Sequence, residues 1–173
     1  MKDLAEILSG FQTFQLSEQP KNDLMSRHDT KYVFHISELG EILKEASHDY
    51  RRLNINEQLT PSYESVYFDT PSYGMYISHH NKRLNRYKVR LRRYNDTGVQ
   101  FLEIKFKNNK RFTKKARIKK SDRESSFSDI EYEFLKQNTP FDPEILKKSL
   151  KTKFSRITFS DYGFTERITI DIL

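Results

Sequence analysis

From Arg86 to Lys119 the chain alternates, residue by residue, between charged and apolar side chains in three stretches separated by short turns. In Arg86-Tyr87-Lys88-Val89-Arg90-Leu91-Arg92 every even position is basic, while Tyr87, Val89 and Leu91 occupy the odd ones. The second stretch sets Glu103, Lys105 and Lys107 against Leu102, Ile104 and Phe106. The third sets Arg111, Thr113, Lys115, Arg117 and Lys119 against Phe112, Ala116 and Ile118, with Lys114 breaking the apolar side. Successive side chains leave a strand on opposite faces, so a period of two predicts β-strands with one buried face. Asn95-Asp96-Thr97-Gly98 and Asn108-Asn109-Lys110 carry the residues of tight turns. The three stretches are therefore expected to form an antiparallel meander with one basic and one apolar surface.

An ordinary half-solvated sheet is also apolar inside and charged outside. A surface that serves only solubility mixes both signs, however, and like charges directly opposite one another on neighbouring strands are destabilising. Here ten basic side chains share a face with a single acid, Glu103. The formal charge of +7 over 173 residues is modest, so its concentration matters more than its size. A face of this kind points to a polyanionic ligand.

Composition limits the remaining choices. Only 35% of the residues are apolar, yet a chain of 173 residues can bury about 70% of its unfolded surface, enough for a core without staples. With no cysteine, disulfides and thiolate-bound metals are excluded. No run approaches the roughly 20 apolar residues of a membrane span, and the start, with Asp3 and Glu6, has no apolar signal core. The expected location is the cytoplasm.

Further strands are expected over 24–34, 50–55, 62–69, 152–159 and 166–172, with the meander strands at 84–94, 99–107 and 111–119. Helices are expected over 3–14, after Ser37, from the Ser128 capping box to about Gln137, and at Asp142-Pro143. The fold class is thus α+β, a single domain over 1–173 in which 1–20 form a helix and connector. Parity extends the charged face to Arg27, Asp29 and Lys31, to Arg156, and to Arg167 and Asp171. Curled with this face inward, the sheet becomes a barrel lined by Arg and Lys, with a few carboxylates able to hold a divalent cation.

Six stretches resemble the vacuolar transporter chaperone (VTC) domain, in that family's order. They are Arg27-His28-Asp29-Thr30-Lys31-Tyr32, Tyr67-Phe68-Asp69, Arg90-Leu91-Arg92-Arg93-Tyr94, Leu102-Glu103-Ile104-Lys105, Lys115-Ala116-Arg117 and Glu166-Arg167-Ile168-Thr169-Ile170-Asp171. The family is similar to the triphosphate tunnel metalloenzymes, or CYTH-like proteins. The resemblance implies an antiparallel β-barrel, or tunnel, with flanking helices. By analogy with eukaryotic members it also implies transfer of the γ-phosphoryl group of ATP to polyphosphate, with Mn2+ or Mg2+ as cofactor. It maps phosphate-binding roles onto Lys31, Arg90, Arg92, Lys105, Lys115, Arg156 and Arg167, all on the charged side by parity. His79 takes a position usually held by Arg in the polymerases. The family continues past Asp171 with strands that carry a metal-binding Glu and another Lys, so the tunnel is expected to be incomplete at the C-terminal side.

Phosphoryl transfer needs alignment and charge neutralisation more than covalent chemistry. Arg90, Arg92, Arg156 and Arg167 are expected to grip the triphosphate with their planar forks, and Lys105 to neutralise it alongside them. Lys31, Arg27, Lys88, His79, Lys115 and Arg117 are expected as further phosphate contacts. Glu103, then Asp29 and Asp171, are the candidate metal ligands. A triphosphatase would use the same residues with water as acceptor, and a non-catalytic polyphosphate-binding module would use them without turnover. Nucleic acid is not expected, because Tyr87, Phe106 and Phe112 point away from the basic face, although Phe101 lies on it. Asp69 is read as a structural hydrogen-bonding group, and homo-oligomerisation is left open.

Overall fold

The computed structural model describes residues 2–20, 29–110, 112–120 and 126–173. The fold is α+β, and the chain divides into two compact units, Met1–Pro61 with Ser155–Leu173, and Ser62–Phe154. No helix among the described residues is long and apolar enough to cross a membrane.

In the unit Ser62–Phe154, strands β3 (Ser62–Asp69), β4 (Arg86–Tyr94), β5 (Gln100–Lys107) and β6 (Thr113–Lys120) form a continuous antiparallel ladder. The expected alternation is met through most of it, with Lys114 and the buried Lys120 as cations at apolar-side positions of β6. Phe68, Val89, Leu102 and Ile104 are buried on one face, with Leu91 and Ile118 packed beside them. Helix α4 (Asp129–Asn138) covers this face with Leu135 and Phe134. It starts where the sequence indicated, with Ser128 and Glu131 in a reciprocal capping box. The β4–β5 turn closes with Gly98 N–H donating to the Tyr94 carbonyl at 2.8 Å. Gly98 has φ +67°, a region open to glycine without the Cβ penalty.

Helix α3 (Gly74–His80) was not expected from the sequence. The buried Asp69 organises its start: its carboxylate accepts from the backbone N–H of Thr70, Met75 and Tyr76 at 2.7, 2.9 and 2.8 Å. That is the structural role anticipated for it.

In the other unit, β1 (Thr13–Gln15) pairs in parallel with β2 (Tyr50–Asn54), and the Ser155–Asp161 part of β7 (Lys147–Asp161) pairs antiparallel with β2 and with β8 (Arg167–Ile172). Helices α1 (Lys2–Ser9) and α2 (Leu39–Ala46) supply Leu8, Leu39 and Leu43 to a core with Ile157, Phe159 and Ile170. Arg52 points into this core, 6% exposed, and donates from Nε to the Leu8 carbonyl at the end of α1 and from a terminal nitrogen to the Gln58 carbonyl, both at 3.2 Å. Burial lowers its pKa from the usual arginine value.

Three expectations need correction. The helix expected over 3–14 ends at Ser9, and Phe14 is buried instead as part of β1. Phe11 joins the core with Leu8, whereas Phe14 packs edge-on against Phe164 with ring centroids 5.4 Å apart. The strand expected over 24–34 is not formed by residues 29–34, which belong to no ladder, with Tyr32 82% and Val33 100% exposed; residues 24–28, including Arg27, lie outside the described residues. Asp142-Pro143 opens a single turn of 3-10 helix, Pro143–Ile145, and not an α-helix.

Candidate phosphate-binding face

The ladder turns the alternation into cross-strand rows. One row reads Lys88, Lys105, Lys115 across β4, β5 and β6, and the next reads Arg86, Lys107, Thr113. On the other side of the lysine row lie Tyr67, Arg90, Glu103, Arg117, and then Ser65, Arg92, Phe101, Lys119. On β4, β5 and β6 nine described cations share this face with the one carboxylate of Glu103. Side chains directly opposite on neighbouring antiparallel strands stand about 5 Å apart at Cβ, so the lysine row places like charges side by side. A multivalent anion above it removes that cost.

The two arginines of β4 are held differently. Arg90 donates from Nε and Nη2 to the same Glu103 oxygen, both at 2.7 Å, and from Nη1 to the Tyr67 hydroxyl at 3.5 Å. Burial lowers the Arg90 pKa, but Glu103 and Tyr67 outweigh it and the net shift is upward. Arg92 donates from Nε to Ser65 Oγ at 3.3 Å, with its guanidinium carbon 5.8 Å from the ring centroids of both Tyr63 and Phe154. Arg117 lies 4.7 Å above the Phe101 ring. The aromatic rings of this face thus lie beside guanidinium groups.

His79, in the last turn of α3, senses the same cations. Burial first, then Lys88, Arg86, Lys105 and Lys107, lower its pKa below the usual 6.5, so it is neutral at pH 7. A bound polyphosphate offsets those cations and favours the imidazolium. Tripolyphosphate is therefore expected to raise the His79 midpoint and to drive proton uptake at a pH between the two midpoints. The His79 ring proton signals in an NMR titration check this; a midpoint indifferent to the ligand would remove His79 from the site.

In the other unit, Arg156 and Asp171 face each other across the β7–β8 ladder in a bidentate pair, Nε to Oδ1 at 2.5 Å and Nη2 to Oδ2 at 2.6 Å. Arg167 stands opposite Ser160, exposed and on the same side as Arg156 by parity. Asp29 and Lys31 are exposed on the extended segment outside the ladders. Within the unit Ser62–Phe154 the structure brings Arg90, Arg92, Lys88, Lys105, Lys115, Arg117 and Glu103 onto one face, and within the other unit Arg156, Arg167 and Asp171 share one side of the β7–β8 pair. Sequence reasoning missed Ser65, Tyr63 and Phe154 around Arg92. Parity puts Ser65 on the charged side, but its partner depends on the β3–β4 register.

No group of three or more His, Asp or Glu side chains among the described residues could enclose a metal ion. A lone carboxylate suits only a cation that arrives already carried by phosphate oxygens, as Mg2+ is with its substrate phosphates. Glu103 is the carboxylate on the basic face.

No curated protein matches the chain. Of 13 similar solved chains, one from Vibrio parahaemolyticus is named a "putative adenylate cyclase". It is 14% identical with a TM-score of 0.48, and the alignment covers 82% of this chain and 64% of that one. This chain thus spans less than two thirds of the length of that neighbour. The VTC domain matches residues 26–172, nearly the whole sequence. The chain belongs to the VTC domain family.

Proposed function

We propose that the basic face of β4, β5 and β6 binds the phosphates of ATP, triphosphate or polyphosphate, and that the protein transfers the γ-phosphoryl group to polyphosphate. The observation that carries this reading is the row Lys88, Lys105, Lys115 flanked by Arg90 and by Arg86 with Lys107. Such a row is costly for a bare sheet and suited to three linked phosphates. Membership of the VTC domain family supports the same reading.

In this mechanism Arg90 and Arg92 orient the phosphates with planar forks, while Lys88, Lys105 and Lys115 neutralise their charge. Glu103, the carboxylate of this face, would take part in holding the Mn2+ or Mg2+ that neutralises phosphoryl oxygens when bound. Nothing in transfer requires a side-chain nucleophile, because the acceptor is the end of the growing polymer.

The test is incubation with γ-labelled ATP and either Mg2+ or Mn2+. Long labelled polymer is the expected product. Orthophosphate alone would make the protein a triphosphatase using the same face, and tight tripolyphosphate binding with neither product would make it a binding module.

A further inference from the structure

Ser65 lies in the middle of β3 and is fully buried, and a buried hydroxyl needs a hydrogen-bond partner. If packing alone governed the position, alanine would fill it without that demand. The ladder sets Ser65 directly opposite Arg92, and its Oγ accepts from Arg92 Nε at 3.3 Å. Two residues before it, Tyr63 stacks on Phe154 with ring centroids 5.5 Å apart and planes 16° from parallel. The Arg92 guanidinium lies over both rings, 5.8 Å from each centroid. One edge of the fork is thus tied to a hydroxyl, and its central carbon sits beside an aromatic pair.

None of these three neighbours carries charge. Arg90 is oriented by Glu103, at the expense of placing a carboxylate beside the anion. Ser65, Tyr63 and Phe154 hold Arg92 without opposing its positive charge. An arginine fixed before its ligand arrives loses less rotamer freedom on binding.

We propose that Ser65 is a positioning residue, which with the Tyr63–Phe154 pair holds the Arg92 guanidinium in the orientation that meets a phosphate. The inference rests on the basic face being the triphosphate site. Tripolyphosphate affinity measured by calorimetry in EDTA, together with thermal melts, tests it on the whole chain. Ser65→Ala is expected to weaken binding about fivefold, the scale of freeing one long side chain. The same substitution is expected to change nothing in an Arg92→Ala background, because the hydroxyl acts only through that arginine. It is likewise expected to be silent beside Arg92→Lys, which has no Nε–H to donate.

Wild-type affinity in Ser65→Ala, or an equal loss with and without Arg92, would overturn the proposal, the second result marking a general effect on the fold. If Ser65→Ala does not fold, Phe154→Leu supplies the same comparison from the aromatic side, with loss expected only when Arg92 is present. Failure of the wild-type chain to bind tripolyphosphate would instead overturn the reading of the whole face. The two failures are therefore distinguishable.

Discussion

Replacing both Arg90 and Arg92 by alanine is expected to lower tripolyphosphate affinity at least about 100-fold, since each charged hydrogen-bonding contact contributes about 1.5–3 kcal/mol. The single variants should not be equivalent. Removing Arg92 takes away a guanidinium held by Ser65 and set beside the Tyr63 and Phe154 rings. Removing Arg90 also strands Glu103, whose carboxylate takes both close contacts from that arginine, 2.7 Å each. The stranded charge then repels the ligand. Adding Glu103→Gln to Arg90→Ala is expected to restore about tenfold of the lost affinity, the scale of one like-charge interaction at partly screened range. Calorimetry in EDTA keeps metal binding out of the comparison. Unchanged affinity in the double-alanine variant would end the phosphate-binding reading, and no recovery with Glu103→Gln would place that carboxylate away from the ligand.

The second large effect concerns stability and lies on the opposite face of the same sheet. Lys120 ends β6 on the apolar side, where its Nζ meets both Glu131 oxygens at 3.0 and 2.8 Å. Their side chains are only 3% and 4% exposed. Breaking a buried ion pair by removing one partner costs about 3–5 kcal/mol, because the other charge is left in a poorly polarisable interior. Glu131→Gln is expected to lower the melting temperature by about 10 °C. Lys120→Met added to it is expected to recover most of that loss, because glutamine can still accept from the Ser128 N–H that Glu131 now caps at 3.0 Å. Neither change should alter tripolyphosphate affinity once the protein is folded. A melting temperature unmoved by Glu131→Gln would show that the pair contributes nothing to stability.

The contrast between these two sites reflects what sequence can express. The basic face was legible because a strand alternates with a period of two, so Arg86, Lys88, Arg90 and Arg92 share a side whatever their partners are. The α4 capping box was legible because its signal spans four adjacent residues, Ser128 to Glu131. Contacts between distant positions were not. Glu131 reads as a capping residue alone until the fold brings Lys120 beneath it. Helix α3 has only seven residues and takes its N-terminal acceptor from Asp69 at the end of a strand, so no local start signal precedes it. The three-residue β1 exists through its pairing with β2. Conversely, residues 29–34 contain the β-branched and aromatic types of a strand but belong to no ladder, and propensity alone does not make a strand.

The register of β4, β5 and β6 also limits how such a chain can vary over generations. Exchanging one residue for another alters one position on one side. Gaining or losing a single codon within β5, between the turns at Asn95–Gly98 and Asn108–Lys110, would exchange the two sides from that point onward. Lys105 and Lys107 would then be driven toward the helix side, and Ile104 and Phe106 toward the basic side. Length changes should therefore be tolerated in the turns and purged from the strands, making the spacing of the cations harder to alter than their identity.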